Sequence, residues 1–242
     1  MHGVILLAGG SGDRMGSDVK DKLLHPILET NAFRLCCNAY IGIKEISSLV
    51  IVYREKDQQK LLENEYDISR KRFHESLDPI YVAGGSRRED SVRKGLEALP
   101  KECSFVQVHD CARPMIRTST ITEMIHEVEE KGVIVACRPA SDTIRQSLET
   151  ELSSDQPQKT QTLNRQSLWF METPQATHKS WLTQALNRAK ERNISITDEV
   201  SALELDNRKT AFFCLDYPNP KITNIDDLKL VEYLLKEERN IL

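Results

Sequence analysis

The chain has 242 residues, 39% of them hydrophobic and 29% charged, with a formal net charge of −4. That length and balance fit a globular enzyme-sized unit with a sizeable core. No apolar stretch approaches the about 20 residues that span a bilayer, so a membrane partner is not expected, and a net negative charge gives no basic excess to suggest a nucleic-acid partner.

The apolar run Val4-Ile5-Leu6-Leu7-Ala8 predicts a first strand, broken by glycine too early for a secretion signal. It gives way to Gly9-Gly10-Ser11-Gly12-Asp13-Arg14-Met15-Gly16, with Lys20 and Lys22 close behind. Glycines at a strand end let backbone N–H groups approach an anion, and the arginine and lysines add full positive charge there. A chain of net negative charge thus still offers a local polyphosphate site. A dinucleotide fingerprint would need glycine where Met15 stands, and no G-K-[S/T] follows as a P-loop requires. An ordinary strand-to-helix turn with a solvated Arg14 is the alternative.

The chain then alternates. Short β-branched runs fall at 49–53, 80–82, 105–108, 133–136 and 211–215, between helical stretches near 30–43, 55–66, 88–99, 118–131, 178–193 and 224–239. Alternation of this kind predicts an α/β fold, a doubly wound, mostly parallel sheet of Rossmann-like type, with ligands outside the carboxyl ends of the strands. From Arg138 to Arg165 the helical period is lost. Short β-like pieces at Asp142–Arg145 and Thr160–Leu163 flank a polar stretch from Glu149 to Lys159. A protruding β-hairpin arm, serving as a subunit contact or a lid, accounts for this; a disordered insertion is the alternative. Residues 1–242 are expected to form a single domain, with the arm at 138–165 inside it.

Further clusters lie at strand ends. Gly84-Gly85-Ser86-Arg87-Arg88 leads into a helix opened by Glu89, Asp90 and Ser91, where N–H groups and the Ser91 hydroxyl suit the polar edge of a base, or simply close a glycine turn. In His109-Asp110-Cys111-Ala112-Arg113-Pro114, Asp110 is placed to hold a sugar hydroxyl or a metal, or to pair locally with Arg113. Lys221 precedes the last helix, for which Asn224 is the expected N-cap. Six scattered cysteines without C-x-x-C, several in apolar patterns, read as buried thiols of a reducing cytoplasm. With no H-x-x-x-H spacing either, a structural zinc site is not expected.

Each cluster is weak alone. Seven stretches taken together are not: A-G-G-S-G-D-R-M-G (8–16), G-G-S-R-R-E-D-S-V (84–92), V-H-D-C-A-R-P (108–114), D-T-I-R (142–145), T-P-Q (173–175), T-D-E-V-S-A-L-E (197–204) and P-K-I-T (220–223). In order and spacing, along nearly the whole chain, they resemble the cytidylyltransferases that act on 2-C-methyl-D-erythritol 4-phosphate in the non-mevalonate isoprenoid pathway. The sister ribitol-5-phosphate cytidylyltransferases share the fold and the first loop, but the Ser91 loop, Ala112 and the 197–204 stretch are more like the methylerythritol enzyme.

The resemblance implies transfer of CMP from CTP to methylerythritol phosphate, with release of pyrophosphate. It also implies magnesium or another divalent cation carried mainly on the CTP phosphates, and a homodimer formed through the arm. Ala8, Gly9, Gly10 and Gly12 would give backbone contacts to the triphosphate, and Arg14 would stabilise the pentacoordinate phosphorus. Lys221 would touch the phosphates, and Gly85, Ser86 and Ser91 would hold cytosine. Asp110 and Cys111 would lie by the ribose and the second substrate. Arg113, Thr143, Arg165 and Thr173 would hold methylerythritol phosphate, some of them across a dimer. Arg14, Lys221, Arg165 and a loop lysine make up the implied catalytic set.

The sequence departs from the family pattern at Val19-Lys20-Asp21-Lys22-Leu23-Leu24, where ungapped counting puts Asp21 in the position of a catalytic lysine. Lys22, nearer the Leu23-Leu24 anchor, is favoured over Lys20 for that role. Asn164 also replaces a common acidic residue, and Cys111 a common alanine. A cytidylyltransferase for another polyol phosphate, such as ribitol 5-phosphate, and a non-catalytic nucleotide-binding homologue are the rival readings.

Overall fold

In a computed structural model of the chain, residues 1–10, 12, 15, 19–74, 76–149 and 157–240 are described. The elements run β1 (His2–Leu7), β2 (Pro26–Ile27), β3 (Thr30–Asn31), α1 (Ala32–Tyr40), β4 (Ile46–Tyr53), α2 (Lys56–Arg70), β5 (Ile80–Ala83), α3 (Arg88–Ala98) and β6 (Phe105–Asp110). They continue as α4 (Thr118–Lys131), β7 (Val133–Pro139), β8 (Arg145–Ser147), β9 (Thr160–Thr162), β10 (Trp169–His178), α5 (Lys179–Glu191), α6 (Glu199–Glu204), β11 (Ala211–Cys214) and α7 (Ile225–Asn240).

Seven strands form one sheet in the order β11-β7-β10-β6-β1-β4-β5. Four parallel pairings make its framework, β1 with β4 and β6, β4 with β5, and β7 with β11. β1 shows why the sheet is covered on both faces. Val4 and Leu6 enter one core with Phe33 of α1, Leu62 of α2 and Val231 of α7, while Ile5 enters the other with Val92 of α3 and Leu182 of α5. Side chains alternate along a strand, so an unbroken apolar run feeds both layers. Each of these fully buried side chains contributes about 1.5–3 kcal/mol.

Local signals set the helix starts. Asn31 caps α1 by accepting a hydrogen bond from the Arg34 N–H at 2.8 Å, and Asn224 accepts from the N–H groups of Asp226 and Asp227 as α7 begins. Asp198 and Ser201 close a capping box on α6.

The main difference from the alternating pattern is β10, which runs antiparallel between β6 and β7 in the middle of the sheet. Glu172, Thr173 and Gln175 on it are buried polar residues, and its pairing with β7 slips between Met171 and Gln175. Polar residues buried for a purpose erase the period-2 signature that identifies a strand. Helix α6 is six residues long, too short to show a helical period.

The arm forms where the period is lost. β8 and β9 pair antiparallel, Arg145 opposite Thr162 and Ser147 opposite Thr160, slightly displaced from the expected pieces. β9 is exposed throughout, so the hairpin stands off the sheet. The middle of the polar stretch, 150–156, lies outside the described residues. Among the described residues no helix is long and apolar enough to cross a membrane.

Candidate active site

A cleft of about 500 Å³ opens over the carboxyl ends of β1 and β6. Its first wall is the glycine loop. Gly9, Gly10 and Gly12 line it, and Gly12 holds φ at +74°, a left-handed conformation that favours glycine. Ala8 behaves differently from the expectation. Its N–H donates to the Val52 carbonyl at 2.8 Å and its own carbonyl accepts from Gln58 Nε2 at 2.9 Å, so both backbone groups anchor the loop and neither remains for a phosphate. Arg14 lies outside the described residues.

Asp21 is turned away from the cleft. One of its carboxylate oxygens accepts from the Leu23 N–H at 2.9 Å, the other from Gln58 Nε2 at 2.7 Å. Lys22 lines the cleft beside Gly10, its ammonium donating to the Ile222 carbonyl at 3.0 Å, while Lys20 is exposed and does not line it. The acidic residue at the expected lysine position is thus a loop anchor, and its neighbour carries the charge inward.

The second wall is the turn from β5 into α3. The Gly85 N–H donates to Ser91 Oγ at 3.0 Å, and the Ser91 hydroxyl donates onward to the Arg87 carbonyl at 3.2 Å. Ser86 Oγ donates to Asp90 at 3.2 Å. A Cβ at Gly85 would collide with Asp90, so only glycine fits that closure. Ser91 therefore shapes the loop from within, and Gly85, Ser86 and Ser91 all line the cleft.

The floor is a row of charges. Asp110, the last residue of β6, accepts from Lys221 Nζ at 2.6 Å on one oxygen and from Arg88 Nε and NH2 at 3.2 and 3.0 Å on the other. Arg88 also forks onto buried Glu199, NH1 to Oε1 at 2.7 Å and NH2 to Oε2 at 3.1 Å. Burial by itself would raise the Asp110 carboxyl, but Arg88 and Lys221 outweigh it and hold it well below the usual carboxylate range. The Glu199 carboxyl is raised by burial, which its Arg88 partner only partly offsets. The local partner weighed for Asp110, Arg113, pairs instead with Glu172 at 3.3 Å and donates to the Asn219 carbonyl at 2.8 Å.

A second cavity of about 340 Å³ adjoins the cleft and shares Arg88, Asp110 and Lys221 with it; Arg113, Glu172 and Thr173 also line it. Thr173 is locked by His109. The fully buried imidazole has its pKa pushed down to about 4 by burial and is neutral at pH 7. Its Nε2 stands 3.1 Å from the Arg113 carbonyl, which only accepts, so the proton sits on Nε2 and bare Nδ1 accepts from the Thr173 hydroxyl at 3.1 Å. Thr173 Oγ1 in turn accepts from the Asp110 N–H at 3.1 Å. The Thr173 proton is thereby committed, and towards a ligand the hydroxyl presents only a lone pair.

Cys111 does not reach either space. It is fully buried, burial raises its thiol well above the usual range, its N–H donates to the Leu7 carbonyl and its carbonyl accepts from Cys36 Sγ. Its neighbours Asp110 and Ala112 line the cleft in its place, because residues alternate faces as the strand ends. All six cysteines are free thiols, five of them buried, with Cys214 exposed.

Thr143 and Arg165 sit on the arm, both exposed, and line neither cavity of their own chain. Arg165 NH1 donates to the Ser141 carbonyl at 2.9 Å. Sequence reasoning missed Arg88, Glu199, Glu172 and Asn219 as parts of the site. The first two lie in recognised stretches, 84–92 and 197–204, whose charged residues were the available signal.

Comparisons with known proteins identify the family and the fold. A model of the 2-C-methyl-D-erythritol 4-phosphate cytidylyltransferase family matches residues 2–237. The enzyme of that name from Clostridioides difficile is 30% identical over 239 residues, 99% of this chain and 95% of that protein. Among solved structures, 4-diphosphocytidyl-2C-methyl-D-erythritol synthase from Anaerococcus prevotii superposes with a TM-score of 0.79 at 22% identity, covering 98% of this chain and 96% of that one. The Francisella tularensis 2-C-methyl-D-erythritol 4-phosphate cytidylyltransferase gives 0.74 at 22% identity, covering 96% and 98%. With two adjoining cavities joined by one charged floor, and a family match along almost its whole length, the chain belongs to the 2-C-methyl-D-erythritol 4-phosphate cytidylyltransferases of the non-mevalonate isoprenoid pathway.

Proposed function

We propose that this protein transfers CMP from CTP to 2-C-methyl-D-erythritol 4-phosphate, forming 4-(cytidine 5'-diphospho)-2-C-methyl-D-erythritol and pyrophosphate. The observation that carries the reading is the pair of adjoining cavities sharing Arg88, Asp110 and Lys221. One is walled by the glycine loop and the base loop and suits a nucleoside triphosphate; the other is polar and suits a small phosphorylated polyol. Their common floor is where the two reacting groups meet.

No general base is needed. A phosphate monoester with a second pKa near 6 is largely dianionic at neutral pH and is itself the nucleophile. Its oxygen attacks the α-phosphorus in line and the bond to the pyrophosphate oxygen breaks. The chain's contribution is alignment and charge: Gly9, Gly10 and Gly12 cradle phosphate oxygens, while Arg14, Lys22 and Lys221 meet the negative charge that accumulates. Gly85, Ser86 and Ser91 hold the base, and Asp110 takes the ribose or polyol hydroxyls. Arg113 and Thr173 line the polyol side, Thr173 as an acceptor.

Among the described residues no three His, Cys, Asp or Glu side chains stand together to hold a metal ion, and both Asp110 oxygens already face cations. These residues do not form a resident metal site. Magnesium enters the reading only as the counter-ion that arrives on the triphosphate, and no step above depends on it.

The arm, residues 138–165, is read as the dimerisation and substrate-binding element of one nucleotidyltransferase domain spanning 1–242. Thr143 and Arg165 are exposed on it and line neither cavity of their own chain, which supports their acting in the site of a second subunit. Six free thiols fit a reducing cytoplasm. The test is pyrophosphate release from CTP with methylerythritol phosphate, against ribitol 5-phosphate as the competitor. Release with the first and not the second is expected. The opposite preference would move the chain to the sister activity, and release with neither would leave a nucleotide-binding protein.

A further inference from the structure

The stretch at 197–204 contains a charged residue with no part in the chemistry above. Glu199 opens α6 with its side chain 3% exposed and grips Arg88 through both carboxylate oxygens. The other edge of the same guanidinium meets one oxygen of Asp110, whose second oxygen holds Lys221. Glu199, Arg88, Asp110 and Lys221 thus form an unbroken row of alternating charge, and its last three members line both cavities. Glu199 lines neither.

Its place is firmly built. Asp198, the residue before it, accepts from the Ser201 N–H at 2.9 Å and from Gln175 Nε2 at 2.9 Å, and the Val200 N–H after it donates to Gln175 Oε1 at 3.0 Å. The start of α6 is therefore pinned to β10, and Glu199 is held at a set height beneath the floor. A guanidinium is a planar fork, and fixing one edge fixes the direction of the others. With Glu199 in place, Arg88 meets Asp110 edge-on and engages only one of its oxygens. Without that charge, Arg88 has one carboxylate for the whole fork, and it competes with Lys221 for Asp110.

We propose that Glu199 is a positioning residue for cytidylyl transfer: by clamping Arg88 from below it sets the direction in which Asp110 and Lys221 face the two substrates. The inference rests on the cytidylyltransferase reading for its consequence in catalysis, but its geometry stands apart from any particular polyol. Glu199 touches no reacting atom and acts only through Arg88.

Glu199→Gln keeps the size of the side chain and removes its charge. Turnover should fall roughly 10–100-fold, the range seen when an outer support of a site residue is removed, while the KM for CTP stays near the wild-type value because the glycine loop is untouched. Glu199→Asp, which restores the charge on a shorter stem, should recover part of the loss. Arg88→Lys keeps a cation but cannot fork, and should lose activity comparably; the double variant should be no worse than either single one, since both break the same clamp. Wild-type turnover in Glu199→Gln, losses that multiply in the double variant, or a loss accounted for by unfolded protein in melting curves would each overturn the proposal. An activity-independent readout separates its failure from that of the functional reading. The Arg88 NH1 protons, which donate to Glu199, should be slow to exchange by NMR in the wild type and fast in Glu199→Gln, whether or not the wild type uses methylerythritol phosphate. Equal exchange in the two proteins would sink the clamp itself.

Discussion

The floor around Asp110 and the arm hold their charged side chains in opposite ways. On the floor, Arg88 donates to two carboxylates, Asp110 and Glu199, and Arg113 is tied to Glu172 and Asn219. On the arm, Arg165 donates to the Ser141 carbonyl and Arg145 reaches Thr160 Oγ1 at 3.4 Å, in a hairpin whose strand β9 is exposed throughout. A buried charge must be answered within the chain, because leaving it unpaired costs several kcal/mol. An exposed one stays hydrated at little cost and is available to something else. The floor is complete within one subunit; the arm carries two implied substrate residues, Thr143 and Arg165, and brings neither to its own cavities.

The sharpest way to break that contrast is to inactivate each region and mix the products. Arg14→Ala should slow turnover about 10²–10³-fold, as expected on losing a preorganised charge at a developing oxyanion, and Arg165→Ala should also be inactive. Co-incubated under conditions of subunit exchange, the two should regain roughly a quarter of wild-type activity, since about half the dimers are mixed and each has one intact site. No recovery despite verified exchange would put both residues in the same chain's site, and the arm would be only a lid.

Within the floor, the buried imidazole gives a pH signature. The folded pKa of His109, about 4, lies below its unfolded value of 6.5. The unfolded chain therefore takes up that proton first as pH falls. The contribution is complete above pH 6.5 and is lost on descending to pH 4, amounting to about 3 kcal/mol. Denaturant titrations at pH 7 and pH 4 should show this loss in the wild type and lack it in His109→Gln. Equal pH slopes would mean that the imidazole is not neutral and locked.

The loop lysine offers a finer test. Lys22→Ala should lose roughly tenfold or more in turnover, consistent with removal of a phosphate-facing charge, and Lys20→Ala should stay close to wild type. The reverse order would hand the role to Lys20. The smallest effect is expected in stability, where Arg165→Ala should lie within about 0.5 kcal/mol of wild type. A larger drop in melting temperature would show that the arm's charge supports its own subunit after all.

Much of this was readable before any fold was known. The glycine loop, the strand–helix alternation and the charged clusters at strand ends are local signals, and each came with its own chemistry. The arm was legible as a loss of period. Cys111 was assigned to the site and lies in the core instead, since one step along a strand reverses the facing of a side chain. Ala8 belongs to the glycine stretch but spends both backbone groups on Val52 and Gln58, partners 44 and 50 positions away that no local pattern names.

By itself the sequence determined the class of fold, the order of the elements, the family and the loops to search, because hydrophobic period, glycine placement and motif order are properties of neighbouring residues. Only the tertiary structure decided that an antiparallel strand of buried polar residues lies beside β6, that Lys22 and not Asp21 faces the cleft, and that Arg88 joins Asp110 to Glu199. Those facts join residues that are distant in the chain, such as Arg88 and Glu199, 111 positions apart. Pairings of buried charges over such separations are chosen by where the packed core brings them, and that choice exists only once the sheet has formed.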